Sequence, residues 1–343
     1  MSDFLKSMIK LTGNQYATLV EDGLGGADIN NFIDTGSYAL NAILSGSIYG
    51  GLPANKITCL AGESSVGKTF FAMGIAKYFL EQNKKAVVIY FDTENAVTSE
   101  MFASRGMDIS RVGVFPVATI EEFKTQALKI VCDTLAKPEA ERQQMLIVLD
   151  SLGMLSTEKE MNDTVEGKNV RDMTRAQMVK GAFRVLTLKC GQAGIPLLLT
   201  NHTYMSVGSM YPTKELAGGS GVKYAASTIM FLSKSKDKTE DGVIGSFIKC
   251  TNYKNRFVKE NTQVETRLNY TSGLSRYYGL TDMAIKYGVF KKVSTRIELP
   301  DGSKVFEKNI DDDPEKYFSK DILDKLDKEI QKEFKYGMHD NGE

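Results

Sequence analysis

Tryptophan is absent from this chain, and histidine, cysteine and net charge are scarce. Its 343 residues include two histidines, His202 and His339, too few and too far apart for a histidine-rich metal site. The four cysteines, Cys59, Cys132, Cys190 and Cys250, are widely separated and form no C-x-x-C pair. Three of them sit in apolar surroundings, which predicts buried free thiols in a reducing compartment rather than bridges or zinc ligands. Lys and Arg number 43, as do Asp and Glu, so a uniformly basic nucleic-acid coat is excluded. That balance is uneven, because residues 307–343 carry 12 acidic against 7 basic side chains and the rest of the chain holds the matching basic surplus. No apolar run approaches the ~18 residues of a membrane span, and the start MSDFLKSMIK lacks a long apolar stretch. A soluble, cytoplasmic protein without membrane contact is expected.

What is present is ordinary globular composition, 42% hydrophobic and 25% charged, long enough for two domains or one large one with an appendage. Residues 1–34 form an arm in which Phe4, Leu5, Met8 and Ile9 recur at helical spacing. That stripe either packs on its own domain or is lent to a neighbouring subunit. From residue 35 to 271 short apolar runs alternate with amphipathic stretches. Candidate strands are Ile57–Ala61, Ala86–Phe91, Val112–Phe115, Met145–Leu149 and Pro196–Thr200, with helices over 68–82, 98–105, 120–135 and 171–192. Continuous apolar strands joined by crossover-length helices predict an α/β fold with a mainly parallel sheet covered on both faces. Strand-rich sequence after residue 227 predicts antiparallel strands added at one edge. A smaller α/β unit is expected over 272–343, with a helix at 278–287, a hairpin turn at Leu299-Pro300-Asp301-Gly302 and a charged tail helical around 319–335.

The sharpest signal is Gly62-Glu63-Ser64-Ser65-Val66-Gly67-Lys68-Thr69, a G-x-x-x-x-G-K-[ST] loop between an apolar strand and a helix. Its glycines let backbone N–H groups turn inward around phosphate oxygens at a helix N-terminus. Lys68 would reach the β- and γ-phosphates, Thr69 would hold Mg²⁺, and Phe70 begins the helix beside them. Asp150 ends the buried run Met145–Leu149, beside the loop's own strand in this reading, and suits the magnesium. Glu94, just past Val87–Phe91, would polarise an attacking water, and His202, closing Pro196–Thr200, would touch the γ-phosphate.

The motifs Thr35-Gly36-Ser37, Gly51-Leu52-Pro53, the phosphate loop, Tyr90-Phe91-Asp92-Thr93-Glu94, Leu149-Asp150-Ser151, Asn201-His202, Gly218-Gly219-Ser220-Gly221-Val222-Lys223 and Lys254-Asn255-Arg256 occur in the order seen in the RecA recombinase family, which the chain resembles over about residues 35–290. His202 and Asp172-Met173-Thr174-Arg175 look most like the UvsX recombinases of tailed phages. The resemblance implies a RecA-type ATPase core with an N-terminal polymerisation arm. It also implies ATP with Mg²⁺ as ligands, catalysis by Glu94, γ-phosphate sensing by His202, and Lys254 and Arg256 reaching the nucleotide of the adjacent protomer. Met101 stands where the family stacks a tyrosine on adenine, and its thioether would cover the base instead.

Two segments match the family's DNA loops. Ser156–Lys168 is acidic, and Thr203–Gly221 offers Lys214 as its only cation, so charge alone would not predict DNA there. Expected DNA contacts are Arg171, Arg175 and Arg184 on the following helix, Met205 and Val207 as apolar wedge candidates, Lys214, and the Gly218-Gly219 backbone. The implied activity is that of a DNA-dependent ATPase. It would form helical filaments on single-stranded DNA and pair it with homologous duplex DNA, assisted by single-strand-binding and mediator proteins. A RecA-fold ring helicase and an ATP-binding recombination mediator are the alternatives. The acidic C-terminal tail would either shield the DNA surface or lie as a solvated helix.

Overall fold

The structure, a computed structural model, describes residues 2–337 apart from 25–27, 30, 169–172, 206–213, 220 and 240–241. Its centre is a sheet whose strands run, from one edge, Gly273–Leu274, Gln263–Asn269, Gly242–Asn255, Thr228–Thr239, Ile57–Gly62, Leu197–Met205, Met145–Asp150, Val87–Asp92 and Val112–Pro116. The strands from Thr228–Thr239 to Val112–Pro116 are mutually parallel, and those beyond Thr228–Thr239 are antiparallel additions at one edge. Ile57–Gly62 and Met145–Asp150 are buried at every position, as a parallel strand with both faces covered must be.

Alternation along these strands feeds two apolar clusters on opposite faces. Ile57, Cys59 and Ala61 join Ile147, Leu149, Leu197 and Leu199 under the helices Ile120–Ala136 and Arg175–Ala193. Phe91, Phe123 and Phe183 meet edge to face or tilted there, at 5.1 and 6.3 Å between ring centroids. The first of these helices starts in a capping box: Glu122 N–H donates to Thr119 Oγ1 and Glu122 Oε2 accepts from Thr119 N–H, worth about 1 kcal/mol. Leu60, Leu146, Val148 and Leu198 point the other way, toward the helices Lys68–Gln82 and Tyr38–Ser45.

The residues after 272 share that second cluster. Leu280, Met283, Phe290, Ile297, Phe318, Leu326 and Ile330 are continuous with Ile43, Leu44 and Val258. The helix Lys320–Phe334 turns Leu323, Leu326, Ile330 and Phe334 inward. Asp327, buried among them, accepts from Ser47 Oγ at 2.7 Å, Ile48 N–H at 2.8 Å and Gln331 Nε2 at 2.6 Å. The acidic C-terminal helix is therefore docked on the core through a buried carboxylate, not laid out as a solvated tail. The hairpin turn at 299–302 forms as expected, with Gly302 at φ 81° and Leu299 N–H donating to Ser303 O.

One expectation about strand order is corrected. Asp150 does not lie on the strand next to the phosphate loop's strand, because Leu197–Met205 runs between them. The order of parallel strands follows from where each crossover returns, which no local pattern in the sequence records. The N-terminal helix Ser2–Thr12 leaves Phe4, Leu5, Met8 and Leu11 exposed. The free thiols Cys59, Cys190 and Cys250 are buried and Cys132 is exposed. Burial pushes the Cys190 thiol up to about 12.

Candidate functional site

The parallel strands bring their C-terminal tips together, and the site is built there. After Ile57–Gly62 the chain turns through Glu63, Ser64 and Ser65, all exposed, with Ser65 at φ 58° and Gly67 at φ 105°. These left-handed steps leave successive N–H groups on the concave side of the loop, directly before the helix Lys68–Gln82. Lys68 is buried, and its ammonium donates to Gly62 O at 3.0 Å and Glu63 O at 2.8 Å. Burial pulls its pKa below the usual lysine value, against Asp150 and Glu94, which pull it up. A buried cation held by two carbonyl oxygens at the start of a helix is a fitting receptor for phosphate oxygens.

Asp150 sits inside the same crevice, 8% exposed, and is fixed from two sides. Tyr90 Oη donates to Asp150 Oδ2 at 2.7 Å, and the Thr200 hydroxyl donates to Oδ1. The intervening strand thus supplies Thr200, opposite Leu60 of the phosphate loop's own strand, as a brace for Asp150. Burial first, then Asp150 itself, holds the Tyr90 phenol well above its ordinary pKa, so it remains a donor. With Thr69 one residue past Lys68, the oxygen donors suit a hard divalent cation.

Glu94 approaches from the next loop. Asp92 accepts from the N–H groups of Glu94 and Val97, which bends the chain back over the crevice. Thr93 ties this loop to the Asp150–Ser151 segment, a cis peptide, through Thr93 N–H to Asp150 O and Ser151 N–H to Thr93 Oγ1. Ser151 Oγ then donates to Glu94 Oε1 at 3.0 Å, and His202 Nε2 lies 3.8 Å from the same oxygen. Gly153 runs beneath the imidazole so closely that a Cβ there would fall 2.8 Å from His202 Cδ2. Glu94, Ser151, Asp150, His202 and Lys68 therefore converge.

Phe70 lies in the first turn of the helix Lys68–Gln82, and Met101 on the short helix Ser99–Ala103. Phe70 and Met101 are half-buried against the same apolar cluster, and the Arg105 guanidinium lies over the Phe70 ring at 4.1 Å.

Lys254 and Arg256 are elsewhere. Lys254 is opposite Ile229, which pairs with Cys59, whereas the phosphate loop leaves from Gly62, opposite Leu232. The two cations thus sit at the other end of the strands, about 10 Å of strand from their own phosphate loop. Lys254 Nζ donates to Lys223 O at 2.6 Å and Ala226 O at 2.7 Å, and Arg256 to Tyr224 O at 3.4 Å. They cap the short helix Gly221–Ala225, where cations suit the carbonyl end. Burial and the neighbouring Arg256 pull the Lys254 pKa down.

The candidate DNA residues divide. Arg171 and Val207 lie outside the described residues. Arg175 reaches back to the first loop, donating to Leu155 O at 2.9 Å, Gly153 O at 3.2 Å and Leu152 O at 3.3 Å, so in this arrangement it ties the loop down. Gly218 and Gly219, both at φ 82°, close on Arg175 and Ala176, and side chains there would crowd them. Arg184 and Met205 are exposed. Lys214 opens the short strand Lys214–Leu216, pairs with Met205, and stands 3.5 Å from Glu63 of the phosphate loop. Within the first loop the acidic stretch forms a helix, Glu158–Val165, whose N-cap Thr157 accepts from Glu160 N–H.

Sequence reasoning missed several contributors. Tyr90 and Thr200 read as strand residues, yet their hydroxyls hold Asp150. Lys234 was not singled out, yet it donates to Ser65 O on the phosphate loop. A polar residue at the tip of an otherwise apolar strand was the available signal for Thr200; nothing local marked the other two.

The chain matches the model of the RecA N-terminal domain over residues 6–275. It is 31% identical over 253 residues to the recombination and repair protein of Enterobacteria phage T4, which covers 74% of this chain and 63% of that protein, less than two thirds of its length. It is 30% identical to Protein RecA of Paracoccus denitrificans over 263 residues, 75% of this chain and 69% of the relative. With Protein RecA of Rhizobium leguminosarum bv. viciae it shares 29% identity over 293 residues, 83% and 75% of the two chains. Since the family match takes in the phosphate loop, the Glu94 cluster and the distant pair of cations together, the chain belongs to the RecA family.

Proposed function

We propose that the chain is an ATP-dependent DNA recombinase, a DNA-dependent ATPase that polymerises on single-stranded DNA and exchanges strands with a homologous duplex. The observation that carries this reading is the split site. Glu94, His202, Lys68 and Asp150 gather at one end of the sheet, while Lys254 and Arg256 stand at the other end, beyond reach of their own phosphate loop. A site whose own Lys254 and Arg256 stand at the far end of the sheet is completed by those of a second copy, and repeated head-to-tail completion generates a filament.

Lys68, Thr69 and Asp150 would hold MgATP, whose bound ion supplies charge neutralisation at the phosphates. Glu94, oriented by Ser151, takes the proton of the attacking water. His202 shares Glu94 Oε1 with Ser151 and leads directly into the second loop, so a phosphate touching the imidazole would reorder that loop. On the neighbouring face, Lys254 and Arg256 leave the carbonyls of Gly221–Ala225 to meet phosphate charge. Those carbonyls follow the second loop, so movement of the cations and of the DNA loop would be coupled.

The named functions of the similar proteins, recombination and repair in the phage relative, support this reading and lend nothing to a ring helicase. The test is subunit mixing. Glu94→Gln and Lys254→Ala should each be inactive in DNA-stimulated ATP hydrolysis, and a mixture should recover activity at interfaces that combine an intact Glu94 with an intact Lys254. Near-normal hydrolysis by Lys254→Ala alone, or no recovery on mixing, would overturn the split site. Open filaments on single-stranded DNA with a slowly hydrolysed ATP analogue, seen by electron microscopy, support the recombinase; closed rings contradict it.

A further inference from the structure

A nucleotide whose phosphates lie in the loop Gly62–Thr69 must rest its base on a surface flanking the helix that the loop opens. Phe70 follows Thr69 directly, half-buried at the rim of the apolar cluster with Met101. Its ring is already covered by the Arg105 guanidinium, 4.1 Å from the centroid. The same guanidinium donates to Met101 O, so a ring and a carbonyl both hold it. Arg105 is half-buried and has no carboxylate at ion-pair distance among the described residues, and burial pulls its pKa below the usual arginine value. A planar cation fixed by one face and lacking a counter-ion offers its other face to a second flat, electron-rich partner.

We infer that Arg105 is the stacking surface for the nucleobase, forming a Phe70–guanidinium–base sandwich in place of an aromatic side chain at Met101. This rests on the nucleotide reading of the phosphate loop and deepens it. Because stacking engages a π-face rather than a base edge, adenine and guanine should be held about equally, and selection for ATP should be weak.

The test is equilibrium binding of ATP, GTP and inorganic tripolyphosphate, each with Mg²⁺, to the full chain without DNA. Wild-type affinities for ATP and GTP should agree to within about threefold, the range of one modest contact. Arg105→Ala should weaken both by about fivefold or more while leaving tripolyphosphate unchanged. Arg105→Lys should recover only part of the loss, since an ammonium has the charge without the plane. Unchanged ATP binding in Arg105→Ala, or full recovery in Arg105→Lys, overturns the stack. An equal loss for tripolyphosphate overturns it too, by making Arg105 a phosphate ligand or a packing residue. Failure of the underlying nucleotide reading has its own signature: wild-type protein that binds none of the three, or Lys68→Ala that binds tripolyphosphate as well as wild type does.

Discussion

Lys68→Met should make the nucleotide-free protein more stable while removing its response to nucleotide. In the structure the ammonium makes two hydrogen bonds, to Gly62 O and Glu63 O. Bonds from a charged donor are worth about 1.5–3 kcal/mol each. Against them stands the withdrawal of an ammonium from water, several kcal/mol for a buried ion. Burial lowers the Lys68 pKa against the pull of Asp150 and Glu94, so the fold disfavours the charged lysine relative to the neutral amine more than water does, and on that side we set the balance. Methionine keeps the length and apolar contacts without the charge, and should stabilise by about 1 kcal/mol, raising Tm by about 2 °C in a chain of this size.

The pH dependence follows from the same shift. A lysine whose folded pKa lies below its unfolded value destabilises most when it is charged. The wild-type deficit should therefore shrink as pH rises through the lowered pKa. Adding MgATP at about a hundred times Kd should stabilise wild type by about 2.7 kcal/mol and the variant by little of that. Thermal and urea unfolding, with and without nucleotide, measure all four states. A variant less stable than wild type by about 1 kcal/mol or more without nucleotide would refute the reasoning, since Lys68 would then be a structural brace.

Two further outcomes follow. Glu94→Gln keeps the Ser151 hydrogen bond but loses the base, so ATP hydrolysis should fall by about 10²–10⁴ with nucleotide affinity within a few-fold, read by single-turnover hydrolysis and equilibrium binding. Asp327→Ala removes the acceptor shared by Ser47, Ile48 and Gln331 and leaves the buried Ile48 N–H unpaired. It should lower stability by about 2–4 kcal/mol in urea unfolding without touching nucleotide affinity; a loss under about 0.5 kcal/mol would remove the staple.

The legible parts of this chain were those with a strong local pattern. The helix 68–82 follows a loop whose glycines fix its start, and its limits in the structure are those read from the sequence. The helix Tyr38–Ser45 went unread because every one of its residues is buried, which erases the 3.6-residue alternation that announces a helix. The helix Glu158–Val165 did carry a sign, Thr157 three residues before Glu160, but its acidity drew attention to the question of DNA instead. The strand–loop–helix turn at Gly62–Thr69 was readable from spacing alone. The hold of Tyr90 and Thr200 on Asp150, the seat of Arg105 on Phe70 and the separation of Lys254 from its own Gly62 depend on strand order and long-range contact. Without the family resemblance, Lys254 and Arg256 read as a solvated charge cluster, whereas the structure sets them against the carbonyl end of Gly221–Ala225.

The central claim is that this split ATP site drives pairing between homologous DNA molecules. Its most direct test is strand exchange between circular single-stranded DNA and linear duplex DNA with purified protein, Mg²⁺ and ATP. Joint molecules should form with homologous duplex, fail with heterologous duplex, and disappear in Lys254→Ala. Hydrolysis of ATP with no joint molecules, or unwinding of duplexes regardless of homology, would contradict the account.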